Sequence, residues 1–179
     1  MGPIFFPFGV AGTRGAWCTL ALVSTYRIDT RAVRVEVGLG SGPPKVGEIF
    51  LRPGAASHFG VETVADRLAD DSTFLPLRLE GAPGGILLLG KPQIRYLRAP
   101  AAVDEEGASV PRVGVCARLE VQLDTGETLS GEVFLELLPG QTRTLDFLNG
   151  STAAFVCLVQ GESDCFVNRA HVRFFHELT

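Results

Sequence analysis

The chain has 179 residues, enough for one medium domain or two small ones. With 46% hydrophobic and 20% charged residues it has a globular composition, and 21 Gly with 11 Pro favour short strands and turns over long helices. A formal net charge of −4 and a pI near 5.4 argue against general binding to a phosphate backbone, which leaves a basic footprint.

Residues 1–16 form an arm rich in Gly, Pro and Phe, whose Phe5, Phe6 and Phe8 are expected to dock on the body or on a neighbour. The arm lacks the basic start of a signal peptide, and Pro3 and Phe6 break a myristoylation pattern at Gly2. Residues 17–26 read as a strand, and the apolar run 17–23 is too short to span a bilayer. The expectation is a cytoplasmic protein without a membrane span.

From residue 32 the chain alternates. Val33, Val35, Val37 and Leu39 fall on one face and Arg34, Glu36 and Gly38 on the other, the period of a half-buried strand. Residues 40–44 turn the chain and 46–51 give the next strand. Val61, Val64, Ala65 and Leu68 have helical spacing and predict a short helix over 61–70. Strands come next at 74–79 and 86–89, and 93–97 closes the segment. Residues 98–111 combine Pro, Ala, Gly and Ser with the acids Asp104, Glu105 and Glu106, and read as a solvated linker.

The plan then recurs. Residues 118–135 (RLEVQLDTGETLSGEVFL) match 34–51 (RVEVGLGSGPPKVGEIFL) without a gap. Gly131 lies 84 residues beyond Gly47, and Arg118 lies 84 beyond Arg34. Residues 114–123 and 129–137 repeat the first two strands, joined by the hairpin turn Asp124-Thr125-Gly126-Glu127. Asp146 and Leu148 match Asp66 and Leu68, Phe155 falls on Phe74, and 165–175 match 87–97 at a spacing of 78. A self-match of this kind indicates two related units. The expected layout is an N-terminal arm and strand at 1–31, a first unit at 32–97, a linker at 98–111 and a second unit at 112–179.

Each unit holds about five short strands, with Gly47 or Gly131 inside the second, where a sheet bends. The strand pattern Val35–Gly42 with Gly47, and Leu119–Gly126 with Gly131, is similar to that of small SH3-like barrels of the Sm-like kind. The closing segments, residues 88–94 and 166–172, resemble the family's strand, tight turn and strand. The resemblance implies a mainly β fold of two tandem five-stranded SH3-like (Sm-like) barrels related by internal duplication, each with a short helix. Sm-like RNA binders carry their helix before the first strand and an Asp-x-x-x-Asn pattern after the bent one. Here the helix comes after the second strand and the Asn is missing, so the resemblance is one of fold.

No catalytic or metal constellation stands out. The three histidines, His58, His171 and His176, have no partner at ligand spacing, no G-x-S-x-G or phosphate-loop motif occurs, and neither a cofactor nor a metal is expected. Among the four cysteines there is no C-x-x-C pair, Cys157 reads as buried in an apolar strand, and only Cys157 and Cys165 are placed to face each other across a hairpin. The polar residues that recur are Asp66 with Asp146, Lys91 with Arg169, and Arg95 with Arg173. For the Asp pair the plain reading is a helix cap or a buried hydrogen bond to a loop and the functional one a shared binding site; for the basic pairs the plain reading is a solvated turn and the functional one a hook for a partner. Phe174 and Phe175 are adjacent in a strand and must face opposite ways, so one of them is left for a contact outside its own core.

These residues point to a non-catalytic protein-protein interaction or scaffold module, because small barrels have free edges that accept a strand. Another protein is the expected partner, self-association is the second option, and the acidic charge disfavours nucleic acid. Two alternatives stay open. One is nucleic-acid binding through an Sm-like surface, which needs Lys91, Arg95, Arg169 and Arg173 in one stripe. The other is a small-ligand site or an enzyme with a pocket between the units, lined by Asp66, Asp146 and His58.

Overall fold

The computed structural model describes residues 30–40, 42–52, 61–81, 85–104, 106–135 and 143–178. The N-terminal arm and strand, Cys18 and His58 lie outside them. The fold is mainly β, with ten strands and two short α-helices among the described residues. The strands are β1 (Arg31–Gly38), β2 (Lys45–Leu51), β3 (Phe74–Leu79), β4 (Ile86–Gly90), β5 (Tyr96–Pro100), β6 (Val115–Leu123), β7 (Thr128–Leu135), β8 (Phe155–Gln160), β9 (Ser163–Asn168) and β10 (Val172–Leu178). Helix α1 (Val64–Ala69) comes after β2 and helix α2 (Thr144–Gly150) after β7. A 3₁₀ turn separates β4 from β5 at Lys91–Gln93, and another separates β9 from β10 at Arg169–His171.

The same order of elements thus occurs twice, and so does the pairing. All ten strands lie in one antiparallel sheet, ordered β10-β6-β7-β8-β9-β5-β1-β2-β3-β4. Within each half the last strand lies beside the first, and the others run on in chain order. Among the described residues the sheet is open at both ends. The sequence expectation was two tandem five-stranded barrels; the described strands form one unclosed sheet, in which β9 of the second half hydrogen-bonds to β5 of the first. β5 itself runs to Pro100, inside the stretch expected to be linker, and the bridge Val103–Ser109 orders part of the remaining linker.

Alternation along the strands builds the interior. Val35 and Val37 of β1, Ile49 and Leu51 of β2, and Leu75 and Leu77 of β3 are buried with Leu97 of β5 in a first core. Leu119, Val121 and Leu123 of β6, Val133 and Leu135 of β7, and Val156 and Leu158 of β8 form a second. Each helix closes one of them, α1 through Val64 and Leu68, α2 through Leu148. These three positions are those given by the helical spacing and by its repeat.

Gly47 and Gly131 mark the places where the third strand of each half crosses the second. A Cβ at Gly47 would lie 2.3 Å from the Arg78 carbonyl oxygen, and one at Gly131 2.8 Å from that of Val159. β2 pairs with β1 along its whole length but with β3 only at Gly47 and Glu48, and β7 meets β8 at Glu132 alone. Glycine is needed there for close backbone approach, which is the reason the sequence repeats it.

Cys157 stands opposite Phe166, and Cys165 opposite Leu158. The two thiols therefore face different cores, Cys157 the first and Cys165 the second. A disulfide between them is ruled out by this register. Burial pushes both thiols up to about 12, so neither is a ready nucleophile.

Candidate functional site

The junction between the halves shows what a covered strand edge looks like in this protein. β5 and β9 run antiparallel with Tyr96 opposite Val167, Leu97 opposite Phe166 and Arg98 opposite Cys165. The side chains cross over. Phe166 of the second half completes the first core, and Tyr96 of the first half enters the second. Five of the six residues of β9 are buried. Burial, and then the nearby Glu127 carboxylate, push the Tyr96 phenol up to about 12.

Polar groups fasten the same joint. The Arg95 guanidinium donates to both oxygens of Asp124, at 2.7 and 3.3 Å, and to the Leu39 carbonyl at 2.6 Å. Asp124 belongs to the β6–β7 turn and also meets His171 Nδ1 at 3.0 Å, while His171 Nε2 lies 2.8 Å from the Pro92 carbonyl. Hydrogen bonds from Arg95 and His171 pull the Asp124 carboxyl down to about 2. The buried Asn168 amide donates to the Ile94 carbonyl at 2.9 Å, and its oxygen accepts from the Ala170 amide.

The other candidate residues act within their own half. Asp66 accepts from the Thr63 amide at 2.8 Å and hydroxyl at 2.7 Å, closing a capping box at the start of α1. Asp146 sits in the first turn of α2, whose N-cap residue Arg143 makes no capping hydrogen bond through its side chain. Lys91 is buried and its Nζ donates to the Asp70 carboxylate at 2.6 Å and the Asp70 carbonyl at 2.7 Å, just past the end of α1. Arg169 does the same at α2, donating to the carbonyls of Leu148 and Ser151. Burial raises the Asp70 carboxyl, but the bonds from Lys91 and Ser72 outweigh it and hold it well below the usual carboxylate range. Arg173 is exposed on β10. Lys91, Arg169 and Arg95 therefore have their cations engaged, and the four basic residues do not form one free stripe.

A cleft of about 770 Å³ lies between the halves, bordered by Thr63 and Asp66, the start of β1, residues 110–113, Phe134 and Phe166. Asp66 lines it; Asp146 does not. Among the described residues no group of three or more His, Cys, Asp or Glu is placed to hold a metal ion, and no helix is long and apolar enough to cross a membrane.

The two ends of the sheet are the most unusual surfaces. On β4, Ile86, Leu87 and Leu88 are exposed, and Phe74 beside it on β3 is exposed as well. On β10, Phe174 is exposed whereas Phe175 packs on the second core, which resolves the adjacent pair seen in the sequence. The contrast with the counterparts is sharp: Leu88 is 64% exposed where Phe166 is 6%, and Phe174 is 46% exposed where Tyr96 is 3%. The sequence marked the pair Phe174 and Phe175 without deciding between them, and the β4 edge was not singled out. The signal was the unbroken run Ile86-Leu87-Leu88-Leu89, since a strand apolar at every position is one covered on both faces.

Comparison of the chain with protein-family models, with curated proteins and with solved structures found no match.

Proposed function

We propose that this chain is a non-catalytic protein-protein interaction or scaffold module of the cytoplasm, made of two SH3-like (Sm-like) units related by internal duplication, and that it binds protein through the two open edges of its sheet. The observation that carries this reading is the exposure of Leu88 and Phe174, whose counterparts Phe166 and Tyr96 are buried by a neighbouring strand. An edge strand offers a row of backbone donors and acceptors, and apolar side chains beside it add affinity when a partner strand covers them. Folded monomers seldom leave so contiguous an apolar edge without a use for it.

Capture from lysate with the intact chain as bait tests the reading. Partner protein is expected to survive nuclease treatment and to be lost with Leu88→Glu or Phe174→Glu. Recovery that vanishes with nuclease would instead favour the nucleic-acid alternative, which has little to stand on while Lys91, Arg95 and Arg169 are engaged within the fold. The small-ligand or enzyme alternative rests on the cleft beside Asp66, to which Asp146 contributes nothing.

A further inference from the structure

Resting on the reading of the edges as binding surfaces, we propose that the partner is a second copy of this chain, joined head to tail, with β10 of one copy laid antiparallel on β4 of the next. The chain already contains this joint once. β5, the last strand of the first half, pairs with β9, the fourth strand of the second. The strands left at the two ends of the sheet are β4, the fourth of the first half, and β10, the last of the second. Each free edge is thus the counterpart of one side of the internal joint.

The register carries over. Moving each side of the Tyr96–Val167 pair by the 78-residue spacing places Phe174 opposite Leu89, Phe175 opposite Leu88 and His176 opposite Leu87. Leu88 then takes the role of Phe166 and enters the second core of the neighbour beside Phe175. Phe174 stands at the place of Tyr96 and, in a pose turned further outward, reaches the neighbour's first core beside Leu87 and Leu89. The apolar side chains exposed along β4 and on β10 become covered, which removes their surface from water. One further detail favours an outward Phe174. Tyr96 lies over Gly38, but the residue opposite Phe174 is Gln122, whose Cβ excludes that pose.

The two joints differ in their polar parts. The positions of Asn168, Asp124 and His171 are held on the free-edge side by Gly90, Gly40 and Gln93. The joint between copies therefore has the strand ladder and the apolar exchange but not the Arg95–Asp124 ion pair. It is expected to resist salt, because no exposed charge pair is there to be screened. The contact is heterologous, so every added copy presents a fresh edge until the sheet closes on itself.

The test is sedimentation of the intact protein over a wide concentration range, with the single variants Leu88→Glu and Phe174→Glu, each checked by circular dichroism for an unchanged fold. The wild type is expected to sediment as more than one chain, in low and high salt alike. Each variant is expected to weaken association by roughly a hundredfold or more, since it places an unpaired carboxylate in the joint. Mixing the two variants decides the geometry. The intact β10 of the Leu88→Glu chain fits the intact β4 of the Phe174→Glu chain, so the mixture forms a two-chain species and nothing larger. A wild type that stays monomeric, or folded variants that remain monomeric when mixed, overturns the proposal. A monomer that still captures a different protein through Leu88 would remove the second copy while keeping the edge reading; one that captures nothing would remove both.

Discussion

The ring of Tyr96 lies over Gly38, its cross-strand neighbour, so closely that a Cβ at position 38 would sit 2.3 Å from a ring carbon. The ring cannot swing aside freely, because it is buried in the core of the other half. Gly38→Ala is therefore expected to destabilise the protein by about 1–3 kcal/mol through overpacking. A lowered midpoint in urea at unchanged slope is the expected readout. An unchanged or higher midpoint would mean that Tyr96 does not rest on Gly38.

The joint and the free edge should respond in opposite ways to truncation. Phe166→Ala empties a place in the first core and is expected to cost about 3–5 kcal/mol. Leu88→Ala, at the matching place on β4, is expected to shift the stability of a single chain by no more than about 0.5 kcal/mol. Denaturation at low protein concentration, where association is absent, makes the comparison. Equal costs would show that Leu88 is covered within its own chain.

Lys91 anchors the end of α1 through a buried ammonium. Lys91→Ala leaves the Asp70 carbonyl and carboxylate without that donor, at an expected cost of about 1–3 kcal/mol. Arg169→Lys keeps the charge at α2 but loses the fork that reaches the Leu148 and Ser151 carbonyls together, so it is expected to recover only part of the stability lost in Arg169→Ala. Full recovery would reduce the role of Arg169 to its charge.

Stability should fall at both ends of the pH scale. The Asp124 carboxyl is lowered from 3.8 to about 2, so its contribution is present above 3.8 and is lost as pH falls from there through 2. Tyr96 is raised from 10.0 to about 12, so its contribution is present below 10 and is lost as pH climbs from 10 through 12. Cys157 and Cys165, raised from 9.0 to about 12, start that alkaline loss from pH 9. Thermal melts across pH should show Asp124→Asn flattening part of the acid limb, the lowered Asp70 carboxyl carrying another part, and Tyr96→Phe flattening the part above pH 10. A limb unchanged by its variant would place the titration elsewhere.

Much of the fold was legible because it depends on local pattern. The alternation at Val33, Val35 and Val37 gave β1, the spacing of Val64 and Leu68 gave α1, and the repeat of Gly47 as Gly131 located both strand crossings. The joining of the halves was not legible, because β5–β9 pairing is a long-range relation between residues 96–100 and 163–168 and has no local signature. The same holds for the clasp, in which Arg95 finds Asp124 in a turn that reads only as a turn. Lys91 and Arg169 were visible as a recurring basic pair, but their attachment to helix ends needed the chain to be folded. That Phe174 and Phe175 face opposite ways was legible, because two adjacent strand residues cannot share a face, but which of them is exposed needed the fold.

Binding of protein at the edges formed by β4 and β10 can be read in place by photo-crosslinking, in cells that naturally make the protein. A benzophenone amino acid is placed at Leu88, at Phe174 and, as a control, at the exposed Arg34 of β1. Adducts to protein at 88 and 174 but not at 34 are the expected result, and an adduct with the mass of two chains would mark a second copy. No adduct at either edge position, with the chain present and folded, would show that the edges do not bind protein.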